Sequence, residues 1–346
     1  MRSMRVTLLA WVACLGLGAC VSGERAAPPP VSAAGPAGAS SYGPRVSAAE
    51  PAISPPSPPV AQGSPSSGKL LTSTEARAYM VRLINRDRAT AGLGPVALDD
   101  GAPSHAGQAH AQDMASHGYL GHWGTDGSVP EERYTEAGGS DMVLENASCF
   151  TDEKPRVLDP SPRIDPKAVE QTEDMFFHET PPHDGHRKNI LKPWHKTVGI
   201  GVAQPVATPT EIPVPCFSQE FVDAYGTYAP APRRAHLGDK LHVSGSVASP
   251  ATFAGVGLAR VDTPRPLPVG ELNRRRTYPV PAPYQMYWPP GFQTPIPVEV
   301  TGSRFAIDVP LSDGNRPGLY ELSVWATMPG SPDFVMVSLR TIHVRP

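Results

Sequence analysis

Between His178 and His186 the chain sets three histidines, His178, His183 and His186, beside the acid Glu179, and then turns apolar at Ile190 and Leu191. Imidazoles and a carboxylate at this density suit three purposes: holding a divalent ion, moving a proton, or satisfying a helix start. Pro181, Pro182 and Asp184-Gly185 exclude a regular helix through the first half of the stretch. The polar groups therefore converge by loop geometry and need partners from elsewhere in the chain. A second constellation, His110, Asp113 and His117, falls at i, i+3 and i+7 and shares one face of a helix. These three side chains offer metal donors but no fourth accompanies them. The simpler expectation is a histidine packed against a sheet beside two solvated polar groups. His105 stands alone and is given no role.

The elements that must position these residues are readable over residues 70–228. Thr72 to Glu75 forms a capping box, and Tyr79, Met80, Leu83 and Ile84 recur at helical spacing until Gly92-Leu93-Gly94-Pro95 ends the run. A second helix is expected from Pro103 to about His117, stopped by Gly118. A third opens with a capping box from Ser128 to Glu131 and ends near Gly138-Gly139, and a fourth opens at Asp165-Pro166 with Val169, Thr172 and Phe176 on one stripe. "KTVGIGVA" (196–203) and "CFSQEFV" (216–222) are short, β-branched or aromatic and bounded by proline-rich turns, which predicts two antiparallel neighbouring strands. Helices followed by strands, without βαβ alternation, give an α+β layered domain.

Taken in order, "LINRDRATAGLGPVAL", "AQDMASHGYLGH", "DGSVPEERYTEAGG", "ENAS", "GHRKNIL" and "VGIGVA" resemble the SCP-like bacterial branch of the CAP superfamily, the cysteine-rich secretory, antigen five and pathogenesis-related proteins. The resemblance implies an α-β-α sandwich around a central antiparallel sheet, with a surface cleft lined by two histidines and two acids. Position by position it implies His122 of "YLGH", Glu145 of "ENAS" and His186 of "GHRKNIL" as members of that cleft. The second acid it implies is Glu179, three residues after Phe176, which stands where the family usually has tryptophan; Glu173 is the reserve. Two stretches depart from the pattern, "TDEKPRVLDPSPRI" after Cys149 and "TPPHD" between Glu179 and Gly185. The second introduces His183, either as an additional ligand or as a solvated side chain.

Two neutral imidazoles and a carboxylate hold a borderline divalent ion such as zinc, leaving a position for water, whose pKa then falls far enough for attack on a carbonyl. One reading is thus a divalent-metal-dependent hydrolase with His122 and His186 as ligands and His183 as a further candidate. Covalent catalysis finds no support, because the chain has no GxSxG elbow and no thiol expected to be free. The plainer reading is a hydrogen-bonded lock in which each imidazole is satisfied by an acid. Asn146 begins the sequon Asn-Ala-Ser, but the resemblance of Leu17-Gly18-Ala19-Cys20 to a bacterial lipobox argues against glycosylation, and the residue is expected to tether a loop.

The N-terminus bears on the compartment. Arg2 and Arg5 precede the apolar run "VTLLAWVACLGLG", a secretory signal rather than a membrane span, and Leu17-Gly18-Ala19-Cys20 resembles a bacterial lipobox that would leave Cys20 lipidated. Of four cysteines, Cys14 leaves with the signal, so Cys149 and Cys216 remain, and an oxidising compartment suggests a disulfide between them, with two buried free thiols as the alternative. Residues 21–69 are Pro-, Ser-, Ala- and Gly-rich and read as a disordered tether, unable to bury enough apolar surface to offset ordering entropy. A formal charge of -3 offers no basic field for nucleic acid.

Residues 229–346 change character to short alternating runs, "KLHVSGSV", "FAGVGLARV", "PVEVTGSRFAIDVPL", "GLYELSVWATM" and "FVMVSLRTIHV", without a helical period. This predicts an all-β sandwich of the immunoglobulin-like kind, lacking the cysteine pair of antibody domains. Residues 278–297 hold five aromatics among seven prolines. They are either a stacking platform or, more simply, a loop folded over the sheet edge. The sequence as a whole describes a lipid-anchored envelope protein, periplasmic or on the cell surface. Its cleft is expected to bind a divalent cation and a hydrophobic small molecule or peptide without turnover. The hydrolase, and a surface protein adhering through the β-domain, are the alternatives.

Overall fold

The structure, a computed structural model, describes residues 22–23, 69–209, 211–275 and 277–346. The signal segment, Cys20 and nearly all of the tether expected from the sequence lie outside the described residues. Ser22–Gly23 (β1) pairs in parallel with Tyr278–Pro279. No helix among the described residues is long and apolar enough to cross a membrane.

The first unit holds α1 (Ser73–Thr90), β2 (Ala97–Leu98), α2 (Ala102–His117), α3 (Pro130–Glu136), β3 (Met142–Ser148), α4 (Pro166–Phe177), α5 (Gly185–Ile190), β4 (Thr197–Ala203) and β5 (Cys216–Asp223). The capping box at Thr72 and Glu75 is present, and Tyr79, Met80, Leu83 and Ile84 form the buried stripe of α1. The sheet runs β2-β4-β5-β3, antiparallel except for the short β2–β4 pair. On one face Val198, Ile200 and Val202 pack with α1 and α4 in a core that includes Met80, Ile84, Val169 and Phe176. The other face is shaped by Gly199 and Gly201. A Cβ on Gly201 would sit 2.0 Å from the Gly107 carbonyl oxygen of α2, so only glycine lets that helix lie this close. The result is the α-β-α layering that the sequence led one to expect. One helix start differs. α3 begins at Pro130 with Val129 as its cap, and Glu132, not Glu131, reaches back to the cap's N–H. Glu131 is thereby released to face the second unit.

The second unit holds β6 (Gly226–Tyr228), β7 (Arg234–His236), β8 (Lys240–Val247), β9 (Thr252–Val261), α6 (Val269–Leu272), β10 (Tyr278–Pro279), β11 (Gln285–Tyr287), β12 (Glu299–Thr301), β13 (Arg304–Pro310), β14 (Gly318–Thr327) and β15 (Val335–Arg345). Two sheets, β11-β9-β14-β15-β7 and β12-β13-β8-β6, enclose one core of Val243, Val256, Leu258, Phe305, Ile307, Leu322 and Val337. The last strand, β15, pairs with β7 in parallel while the other pairs in both sheets are antiparallel. With β6, β8, β13 and β12 on one sheet and β9, β14 and β15 on the other, the order follows the immunoglobulin arrangement. Two details depart from expectation. Gly226–Tyr228 already belongs to the sandwich, ahead of the boundary drawn at residue 228. The one-turn helix α6 interrupts the strands.

The proline- and aromatic-rich stretch 278–297 is not a platform along its length. Tyr278 and Tyr287 are buried, and β11 extends the sheet edge against β9, while Tyr284 and Phe292 remain exposed. Tyr278 and Val280 pack with Val129, Met142 and Leu144 of the first unit and with Leu319, Trp325, Met336 and Leu339 of the second. Burying aliphatic or methionine side chains of this size contributes about 1.5–3 kcal/mol each. The two units therefore share a core. Ser338 Oγ also donates to the Ser140 carbonyl across the seam, and because Leu267 N–H donates to the Thr125 carbonyl and Leu120 N–H donates to Asn273 Oδ1, residues 265–275 strap across the loop that follows α2.

Candidate functional site

That loop carries His122, and its shape is set from α2. Asp113 accepts from Tyr119 Oη (2.6 Å), Thr125 N (2.8 Å) and Thr125 Oγ1 (2.8 Å), and His110 Nε2 donates to the Gly121 carbonyl (2.8 Å). Asp113 and His110 are thus loop organisers, and His117 folds back onto the Asp113 carbonyl. The expected helix face exists, with His110 buried, but Asp113 is spent on the loop and not on solvent.

His122 and Glu145 are both fully buried, with His122 Nδ1 donating to Glu145 Oε1 at 2.8 Å. Glu145 Oε2 accepts from Arg133 Nη2 at 2.7 Å, and His110 Nε2 lies 3.6 Å from Glu145 Oε1. Burial opposes ionisation of Glu145, yet the neighbouring His110 and Arg133 and the His122 hydrogen bond outweigh it and hold the carboxyl well below the usual range. Directly across the ladder, Glu220 faces Glu145. Burial and the Glu145 charge push Glu220 well above the usual carboxylate range, and it accepts from Ser218 Oγ at 2.8 Å. His122 Nε2 is buried and has no hydrogen-bond partner among the described residues.

The second pair is built locally. Glu179 follows the end of α4, and its carboxylate accepts from His186 N (2.8 Å) and His186 Nδ1 (2.5 Å) at the start of α5, while the Phe176 ring packs on the imidazole. Unlike Glu145, Glu179 is partly open, with 16% of its side chain exposed. Between the two pairs runs an amide bridge. Asn189 Nδ2 donates to Asn146 Oδ1 (2.9 Å) and to the Glu145 carbonyl (3.2 Å), and Asn146 Nδ2 donates to the His186 carbonyl (3.2 Å) and Gln219 Oε1 (3.0 Å). Asn146, expected to tether a loop, instead ties α5 to the sheet through His186 and Asn189 on one side and Gln219 of β5 on the other.

The structure therefore brings His122 to Glu145 and His186 to Glu179, and links the pairs through Asn146 and Asn189. Glu173, the reserve acid, takes no imidazole. It accepts from Gln219 Nε2 (2.6 Å), and burial pushes it up to about 8. His183, on the inserted loop, and His178, at the C-terminal end of α4, are both exposed. Only Glu179 and His186 of the four give the site any opening, because His122 and Glu145 have none. Sequence reasoning missed Arg133, Ser218 and Glu220. Arg133 lies within the quoted "DGSVPEERYTEAGG" but nothing there marks it as the partner of Glu145, and Ser218 carried no signal, whereas Glu220 is an acid in the middle of the run "CFSQEFV", which marks a buried carboxyl.

Among the described residues the imidazole–carboxylate group whose donor atoms all converge is a different one, Glu132, Glu136 and His343, at the seam between the units. The two remaining cysteines form a disulfide, Cys149–Cys216, with a Cα separation of 4.4 Å. It closes a loop of sequence separation 67 where β3 and β5 part, which contributes about 4 kcal/mol by chain entropy.

No curated protein matches the chain. Residues 81–207 match the family model of the cysteine-rich secretory protein family, CAP. That segment spans α2, α3, β3, α4, α5 and β4 and contains all four cleft residues, so the α/β unit of this chain is a CAP domain.

Proposed function

We propose that the chain is a lipid-anchored protein of the bacterial envelope whose CAP cleft binds a divalent cation, and through it a small or extended ligand, without turnover. The observation that carries the reading is the state of His122. Its Nδ1 is held by Glu145, itself fixed by Arg133, and its buried Nε2 has no partner among the described residues. An imidazole locked in one tautomer by a carboxylate behind it is a preorganised ligand. His186 is backed in the same way by Glu179, so a cation held here would use the Nε2 edge of both rings. A bound zinc ion supplies Lewis acidity and a fixed positive charge for a ligand's oxygen. Both carboxylates are occupied in orienting imidazoles, and Glu145 lies between Arg133 and His122 with no exposure, which favours binding over proton transfer to a substrate. The strap 265–275 lies over the His122 loop and limits access to the Glu179–His186 side.

Calorimetric zinc titration of the mature chain tests this. A His122→Ala, His186→Ala double substitution is expected to remove about one equivalent of bound zinc. Ester or peptide hydrolysis that depends on both histidines would replace binding with the hydrolase reading. The anchor rests on Leu17-Gly18-Ala19-Cys20. Cys20→Ser is expected to move the protein from the membrane fraction to the soluble fraction, and retention in the membrane would refute it.

A further inference from the structure

We propose that Glu132 and Glu136 of α3 and His343 of β15 form a second divalent-cation site, which clamps the CAP domain to the β-sandwich. One donor atom from each side chain lies within 4.8 Å of the other two. Glu132 and Glu136 stand at i and i+4, on one face of α3, and His343 comes from the last strand of the facing sheet. Glu132 is buried with Oε1 2.9 Å from His343 Nε2, whereas Glu136 is exposed and leaves the cluster open to solvent. The cluster borders a cavity of about 650 Å³, whose other lining residues include Asp126, Arg233, Arg234 and Arg345. Of these three arginines, none forms an ion pair with Glu132 or Glu136, and His343 is the ion-pair partner of Glu132 among the described residues. The two carboxylates and one imidazole therefore face a polar cavity without a salt bridge to an arginine.

The donor set selects the ion. Two carboxylates with one imidazole suit zinc or a neighbouring first-row cation, while calcium prefers a cage of oxygens. A cation here would join two units by bonds to both, and its effect would reach the cleft. Arg133, next to Glu132 on α3, is the residue that fixes Glu145 behind His122. This site shares no ligand with the His122–His186 site of the proposed function, so the two succeed or fail separately.

The test uses the mature full chain, stripped with a chelator and titrated with zinc alone. Zinc binding that survives the His122→Ala, His186→Ala double substitution is expected, weakened at least about tenfold by Glu136→Gln or by His343→Gln. Glu136 is exposed, so its substitution keeps the fold, and zinc should raise the melting temperature of the His122→Ala, His186→Ala protein but not of the same protein carrying Glu136→Gln as well. In that double-substituted background, equal zinc affinity with and without Glu136→Gln or His343→Gln would overturn the proposal. So would a melting temperature indifferent to zinc.

Discussion

Two imidazole–carboxylate pairs of the same chemistry sit in one CAP domain under opposite conditions. The His122–Glu145 pair joins residues 23 apart in sequence, has no exposure, and draws in Arg133, His110 and Glu220, whose pKa burial raises. The His186–Glu179 pair joins residues seven apart at the edge of an inserted loop, with 9% and 16% of the side chains exposed. The difference teaches where energy is stored. A buried ion pair contributes little relative to an apolar replacement but leaves a large penalty when one partner is removed, while a partly exposed pair leaves a small one. The first pair should behave as structure that also offers a ligand atom, the second as a ligand set on a surface.

The largest expected effect follows directly. Glu145→Ala strands Arg133, which is nearly buried, without its carboxylate, and should cost about 3–5 kcal/mol in urea denaturation. A loss below about 1 kcal/mol would place this pair with ordinary surface ion pairs and erase the contrast.

Next in size is a dependence on pH that belongs to the sealed side. Burial holds Glu173 neutral up to about 8, against an ordinary carboxyl value of 4.5. Its folded pKa is raised, so the associated stability is complete below the unfolded value and is lost as pH rises toward about 8. The slope over that window is at most about 1.4 kcal/mol per pH unit. Glu173→Gln keeps an acceptor for Gln219 and should flatten the decline between pH 5 and 8, measured by denaturation at each pH. Glu220 and Asp141, also raised by burial, leave a residual slope in the variant. An unchanged slope would show that Glu173 ionises in the folded state without cost.

How far each pair was legible in the sequence follows the same division. Glu179 and His186 are close in the chain, so the loop could be recognised from its own residues, and the helix start at Gly185 lies within it. The helices announced themselves by caps and period, and β4 and β5 by their β-branched and aromatic residues, because those signals are local. β3 did not. Its "MVLENAS" is buried almost throughout, so it lacks the alternation that marks a half-exposed strand; Glu145 and Asn146 stand out as a cleft acid and a loop tether without betraying the strand that carries them, and their partners Arg133, Asn189 and Gln219 come from elsewhere in the chain. Nor could the sequence show that a loop near residue 270 would cover the His122 loop, since that closure depends on contacts such as Leu120 to Asn273 across 153 positions. Burial of the first pair is a tertiary fact, and the residues that carry it, Asn273, Tyr278 and Trp325, lie in a unit whose motifs spoke only of strands.

The smallest expected effect on stability is at the open pair, and there the comparison can be sharpened. Glu179→Gln retains an acceptor for the His186 backbone N–H and removes only a partly solvated charge, so unfolding free energy should change by less than about 1 kcal/mol. The same change weakens the hold on His186 Nδ1, which orients the imidazole for the cation of the proposed function. Zinc affinity at the cleft should therefore fall by about tenfold or more while the fold is untouched. Measured together in one variant, calorimetric affinity and urea stability separate the two roles. A stability loss as large as that of Glu145→Ala would mean that Glu179 is structural as well, and an unaltered affinity would remove His186 from the ligand set.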